Sequence, residues 1–130
     1  MESSPAHGLQ KSERLCSRKA MEALFATGHQ SYSAYPLRAV FLPTEESGVR
    51  FLVSVSKRFF KRAVRRNRIK RQIREAYRLN KHLLQPAQGG VNVAFLWSSN
   101  QEIATADVAM KMRILLKRIH ENLLTSQTSL

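Results

Sequence analysis

The stretch Arg66-Asn67-Arg68-Ile69-Lys70-Arg71-Gln72-Ile73-Arg74-Glu75-Ala76-Tyr77-Arg78 decides how this chain is read. Extended to residues 61–84 and wound at about 100° per residue, it separates into two faces. With Arg65 at zero, Ile69, Ile73, Ala76, Tyr77, Leu83 and Leu84 fall between about 0° and 120°. Asn67, Lys70, Arg71, Arg74, Arg78 and Lys81 fall between about 140° and 240°. One face is made to pack against a core, and the other gathers five cations around a single amide. Like charges four residues apart, such as Lys70–Arg74 and Arg74–Arg78, repel by roughly 0.2–0.5 kcal/mol a pair. A phosphate backbone laid along the face removes that cost.

The same stretch accounts for the charge of the whole chain. Its 130 residues carry 22 Lys and Arg against 9 Asp and Glu, a formal net charge of +13. Twelve of those cations lie within residues 57–82, where Glu75 is the one acid, and the rest of the chain is nearly balanced. A solubility device is spread over a surface; charge this concentrated marks a binding element for a polyanion, either nucleic acid or an anionic membrane. Arginine outnumbers lysine eight to four in the window, and its planar fork grips phosphate with two bonds or stacks on a base. Asn67 can donate and accept, so it suits a base edge, a 2′-hydroxyl or a phosphate. Its other reading is a cap near the helix start.

Two partners fare poorly. A membrane surface needs the apolar face that the core requires here, and that face has no Trp or Phe. A basic-zipper DNA binder fails because Pro86 ends the helix before any heptad seam. No apolar run approaches the roughly 18–20 residues of a membrane span, and residues 1–17 contain no apolar segment of a secretory signal. Cys16, the one cysteine, allows no intramolecular disulfide and suits a reducing cytoplasm.

Working outward, residues 1–11 read as a frayed N-terminus and 12–124 as one domain, with a loose tail at 125–130. A helix is expected over 17–27, capped by Ser17 and stopped at Gly28, with Ala20, Met21, Leu24 and Phe25 on one stripe. Leu37–Leu42 and Val49–Ser56 read as strands joined in an antiparallel hairpin across Thr44-Glu45-Glu46-Ser47-Gly48. The basic helix follows over 61–84, then the Gly89-Gly90 turn and a buried strand from Val91 to Trp97. A last helix over 105–124 turns Val108, Met112, Leu115, Ile119 and Leu123 inward. The order α-β-β-α-β-α describes an α+β two-layer sandwich.

No side-chain catalytic centre is legible. The acids form no pair apart from Glu45-Glu46 in a turn, the histidines His7, His29, His82 and His120 are scattered, and no zinc spacing exists. Candidate sites are therefore binding sites for a nucleic acid, RNA the favoured one: Lys57, Arg58, Arg62, Arg65, Arg66, Asn67, Arg68, Lys70, Arg71, Arg74 and Arg78.

The run from Arg66 to Arg78 resembles the Arg-Asn-Arg signature helix of the bacterial ribonuclease P protein subunit. Val53-Ser54-Val55-Ser56-Lys57-Arg58, Ala63-Val64, and Met21-Glu22-Ala23-Leu24-Phe25 with Gly28 are similar to that family too, over about residues 12–124. The resemblance implies a ribosomal-protein-S5-domain-2-like fold with a left-handed βαβ crossover. It also implies a monomeric protein subunit that joins a catalytic RNA to remove the 5′ leader from precursor tRNA. Magnesium ions held mainly by the RNA would drive hydrolysis, while the protein aids substrate affinity and metal binding. Arg66, Asn67, Arg68, Lys70, Arg71 and Arg74 would touch the catalytic RNA, and a cleft walled partly by Met21 and Phe25 would hold the leader. Two departures stand out: Met21 replaces an aromatic common in the family, and Phe60-Lys61-Arg62 makes the loop before Ala63-Val64 one residue longer. A plain structured-RNA-binding module, such as a ribosomal protein, is the alternative that charge alone serves equally.

Overall fold

The computed structural model describes residues 18–26, 30–86 and 89–128. In chain order these form α1 (Arg18–Ala26), β1 (Gln30–Ala34), β2 (Leu37–Thr44), β3 (Gly48–Val55), α2 (Ala63–Asn80), β4 (Gly90–Trp97) and α3 (Thr105–Thr128). A single 3-10 turn, Lys81–Leu83, prolongs α2.

Strand β4 sets the layout. Val91, Val93, Phe95 and Trp97 on one face and Asn92 and Ala94 on the other are all buried. A strand covered on both faces belongs inside a sheet. It pairs antiparallel with β2 and parallel with β3, giving the order β1-β2-β4-β3. The expected β2–β3 hairpin is therefore corrected: β4 separates the two strands, although a short turn joins them. Alternating burial marks β2 and β3 as strands but does not name their neighbours, and the more apolar strand takes the central position.

That insertion explains the glycine pair, which the sequence presents as a plain turn. The Glu45–Ser47 link steps over the start of β4, and a Cβ on Gly90 would collide with the backbone oxygens of Gly48 and Glu46. Gly89 sits at φ +65°, where a Cβ would meet the Thr44 carbonyl. Both residues are glycine because backbone passes over backbone there.

Strand β1 is a further correction, since the sequence shows no strand before Leu37. Its Gln-Ser-Tyr-Ser-Ala composition is polar for a strand, and only Tyr32 and Ala34 are partly covered. Tyr32 stacks on Phe41 at 5.6 Å between ring centroids, which ties this edge to the core.

The sheet's inner face carries Leu37, Ala39, Phe41, Phe51, Val55, Val93, Phe95 and Trp97 beneath α2 and α3. Its other face presents Val40 and Ala94, flanked by Leu42, Leu52 and Leu96, to Ala20, Met21 and Leu24 of α1. The parallel pair β3 and β4 with α2 between them forms the expected βαβ unit.

Helix ends shift in readable ways. Helix α2 begins at Ala63 rather than 61, because Arg62 is extended at φ −83°, ψ 128°. It closes at Asn80, whose buried amide donates to the Ala76 carbonyl at 2.9 Å. Helix α3 continues to Thr128, so residues 125–128 of the expected tail are helical. No Gly or Pro interrupts that end, and the Thr125 hydroxyl donates to the Glu121 carbonyl at 3.0 Å. The expected caps Ser17 and Gly28 and the N-terminal 1–11 lie outside the described residues.

Gly90→Ala should destabilise the fold by about 2 kcal/mol or more, because rigid backbone rather than a side chain must move. Urea unfolding checks this, and Gly48→Ala is the comparison: a Cβ there meets nothing within 4 Å, although φ is +101°.

Candidate nucleic-acid interface

Helix α2 is fixed from beneath. Ile69 and Ile73 are fully buried, and Tyr77 packs its ring 4.4 Å from Phe51 and 5.9 Å from Phe95. Docked this way, the helix has its roll set by packing, and its opposite face is held toward solvent. Asn67, Arg71 and Arg74 are exposed there and Lys70 is half-buried; none of the four side chains bonds to a described residue. The wheel sets these four on one face with Arg78 and Lys81; Arg78 shares the helix with them, while Lys81 begins the 3-10 turn that follows.

Other candidates are already engaged. The Arg65 Nε donates to Glu102 at 3.1 Å, and its guanidinium lies 5.0 Å over the Phe60 ring. Arg68 reaches the second Glu102 oxygen at 3.5 Å. Arg66 donates to the carbonyls of Phe60 at 2.7 Å and Lys61 at 2.8 Å. Arg78 donates from Nε to Glu75 at 3.0 Å, a bond that holds the Glu75 carboxyl below its ordinary value and raises Arg78. Arg65, Arg66 and Arg68 thus shape the surface, and Arg78 is half-neutralised within it.

The entrance to α2 is pinned by an aromatic anchor. Phe60 is 2% exposed, and the amides of Phe59 and Phe60 both donate to the Ser56 carbonyl. The Phe60-Lys61-Arg62 loop is therefore anchored to the core through Phe60, with Lys57, Arg58, Lys61 and Arg62 left exposed around it. The first turn of α2 holds no acid, whereas Arg62, Arg65 and Arg66 crowd its start. Cations at that positive end oppose the helix dipole, and an anion there reverses the sign of the interaction. Asn67 does not cap the helix: Arg62 occupies the N-cap and makes no side-chain capping bond.

Met21 and Phe25 lie one turn apart on α1. Met21 is half-buried against the outer sheet face, and Phe25 is 46% exposed. Among the described residues, Arg18 and Glu22 complete the lining of their shallow cavity of about 370 Å³.

Sequence reasoning missed Glu102 and Gln72. Glu102 is a lone acid in a polar loop, 37 residues from Arg65, and no spacing rule connects the two. Gln72 donates to the Ile103 carbonyl at 3.4 Å and the Thr105 hydroxyl at 3.2 Å. Together they fasten the loop before α3 to α2.

A family model described as Ribonuclease P matches residues 9–120. The chain belongs to the ribonuclease P protein family. It is 43% identical over 124 residues to a ribonuclease P protein component of Porphyromonas gingivalis, covering 88% of this chain and 90% of that one. It is 36% identical over 109 residues to the component of Xylella fastidiosa, covering 84% and 77%. The solved ribonuclease P protein of Thermotoga maritima superposes with a TM-score of 0.69 at 25% identity, over 82% of this chain and 96% of that one. The Staphylococcus aureus protein shares the fold, with a TM-score of 0.70 at 21% identity, 84% and 96% covered.

In this family member, Glu102→Gln should cost at most about 1 kcal/mol of stability, because its partners are half exposed. It should also steepen the fall of RNA affinity with salt, since two arginines are released to phosphate. Filter binding across a salt series reads this, and a wild-type slope would place Arg65 and Arg68 outside the RNA face.

Proposed function

We propose that the chain acts as the protein component of a ribonuclease P holoenzyme, seating on the catalytic RNA and promoting removal of the 5′ leader from precursor tRNA. The observation that carries this reading is the row of Asn67, Lys70, Arg71 and Arg74, whose side chains bond to no described residue, on a helix locked to the core. Rigid placement matters because cations held in register need no reordering when phosphate arrives, so less entropy is lost on binding. Arg71 and Arg74 grip phosphate or stack on bases, Lys70 adds a point charge, and Asn67 supplies an amide for a 2′-hydroxyl or base edge. Lys57, Arg58 and Arg62 extend the charge across the entrance to the helix.

Met21 and Phe25 contribute the leader contacts in this reading. Their apolar surfaces suit unstacked bases, with Phe25 giving the one aromatic plane and Met21 a thioether in place of a second. Chemistry falls to the RNA partner. Magnesium ions would be held mainly there. Hydrolysis by RNA-bound metal needs no carboxylate base from this chain, which accords with the scattered acids. The protein is taken as a monomer working in the cytoplasm, and no helix among the described residues is long and apolar enough to cross a membrane.

Adding the protein to a bacterial ribonuclease P RNA at low magnesium should accelerate precursor-tRNA cleavage. The gain should shrink as magnesium rises and supplies the same screening. No acceleration at any magnesium concentration would favour a plain RNA-binding module, and cleavage by the protein without RNA would overturn the assignment of chemistry to the RNA.

A further inference from the structure

A second feature lies at the same end of the sheet as the start of α2. In the ladder, Leu37 and Val55 both pair with Trp97, and Ala34 pairs with Leu37. The segments beyond that row therefore leave the sheet side by side: Tyr35-Pro36 from β1 and β2, the Ser98–Ala104 loop from β4, and the Ser56–Arg62 loop from β3. Two strand spacings separate the outer two, about 10 Å. The cationic entrance to α2 and the Tyr35 turn thus flank one short loop.

That loop is rigid. Ser98 donates its amide to the Pro36 carbonyl at 2.8 Å, Gln101 donates its amide to Ser99 Oγ at 3.0 Å, and Trp97 Nε1 donates to the Gln101 carbonyl at 3.2 Å. From its α2 side, Glu102 is gripped by Arg65 and Arg68. Its other side forms the wall of a cavity of about 460 Å³, which Tyr35, Asn100, Asp107, Met110 and Lys111 also line. Tyr35 is 67% exposed and Met110 54%. Neither Asp107 nor Lys111 forms an ion pair with a described residue, although both face the same space.

We propose that this cavity receives one unpaired guanine nucleotide of an RNA, the base stacked on Tyr35, its Watson–Crick edge on Asp107 and its phosphate on Lys111. The inference rests on the reading of the chain as an RNA-binding subunit. Unpaired bases are recognised by stacking on aromatic side chains and by bonds to their edges. An ionised carboxylate only accepts hydrogen bonds. Guanine, with N1–H beside its N2 amino group, is the RNA base that offers two adjacent donors on that edge. Adenine and cytosine set an acceptor beside their amino group, and uracil sets carbonyls on both sides of its one N–H. A protein partner would also cover Tyr35 and Met110, but a carboxylate, an ammonium and an amide around an exposed ring suit a nucleotide better than an apolar side chain. Continuity with the cationic entrance across a single loop supplies the path by which a strand would reach it.

The isotopically labelled full-length chain, titrated by NMR with GMP, AMP, CMP, UMP or inorganic phosphate, tests this. GMP should shift Tyr35, Asn100 and Lys111 saturably and more tightly than the other three nucleotides, while phosphate alone leaves Tyr35 unmoved. Tyr35→Ala should weaken GMP binding roughly 5- to 150-fold, the range of one base stacking on an aromatic ring, with Tyr35→Phe close to wild type. Asp107→Asn should remove the preference for GMP. Equal shifts with all four nucleotides, shifts confined to α2, or cavity shifts produced equally by phosphate would each overturn the proposal. A chain that accelerates the catalytic RNA but ignores GMP loses the cavity alone. One that binds GMP without accelerating cleavage loses the holoenzyme reading.

Discussion

Everything functional here depends on Ile69, Ile73, Ala76 and Tyr77 being buried against the sheet, with Tyr77 wedged between Phe51 and Phe95. Those contacts set the roll of α2, and the roll decides which residues meet solvent. A helix carrying this much like charge is a poor helix by itself, because its i,i+4 cation pairs repel and its first turn opposes the dipole. Burial supplies what local interactions do not. A buried Tyr or Ile side chain contributes roughly 1.5–3 kcal/mol, against roughly 0.2–0.5 kcal/mol for each repulsive pair, so the core prevails and the cations stay displayed.

The arginines divide into two working groups as a consequence. Arg65, Arg66 and Arg68 build the frame by holding the Phe60 loop and the Glu102 loop, whereas the side chains of Arg71 and Arg74 hold no described residue. Glu102 links the two ends of this arrangement. It neutralises part of the charge at the start of α2, and it fixes the loop that reaches toward Tyr35.

Much of this was legible in the sequence where a pattern is local. The two faces of α2 follow from a 3.6-residue period, and the β-branched and aromatic run Val91–Trp97 already reads as a buried strand, though not as the one between β2 and β3. The pairing of β2 and β3 was not legible, because short turns favour hairpins and nothing local records that another strand will intervene. The Gly89-Gly90 pair carried the missing signal, but as a close-approach requirement rather than a turn. Strand β1 escaped because its polar edge lacks strand composition, and it is held by Tyr32 on Phe41. The Arg65–Glu102–Arg68 cluster was beyond reach, since tertiary ion pairs have no sequence period. The departures at Met21 and Phe60 read differently in three dimensions: Phe60 is an anchor, and Met21 packs on the sheet.

Adjacent residues of α2 serve separate tasks, Ile73 in the core and Arg74 toward RNA. Unfolding free energy and the salt dependence of RNA affinity should be measured for Ile73→Ala and Arg74→Ala. Ile73→Ala should lose about 2–5 kcal/mol of stability while its folded fraction keeps the wild-type salt slope. Arg74→Ala should keep wild-type stability and lower the slope of log affinity against log salt by roughly 0.7–0.9. An unchanged slope for Arg74→Ala, or an equal loss of stability in both variants, would contradict the account.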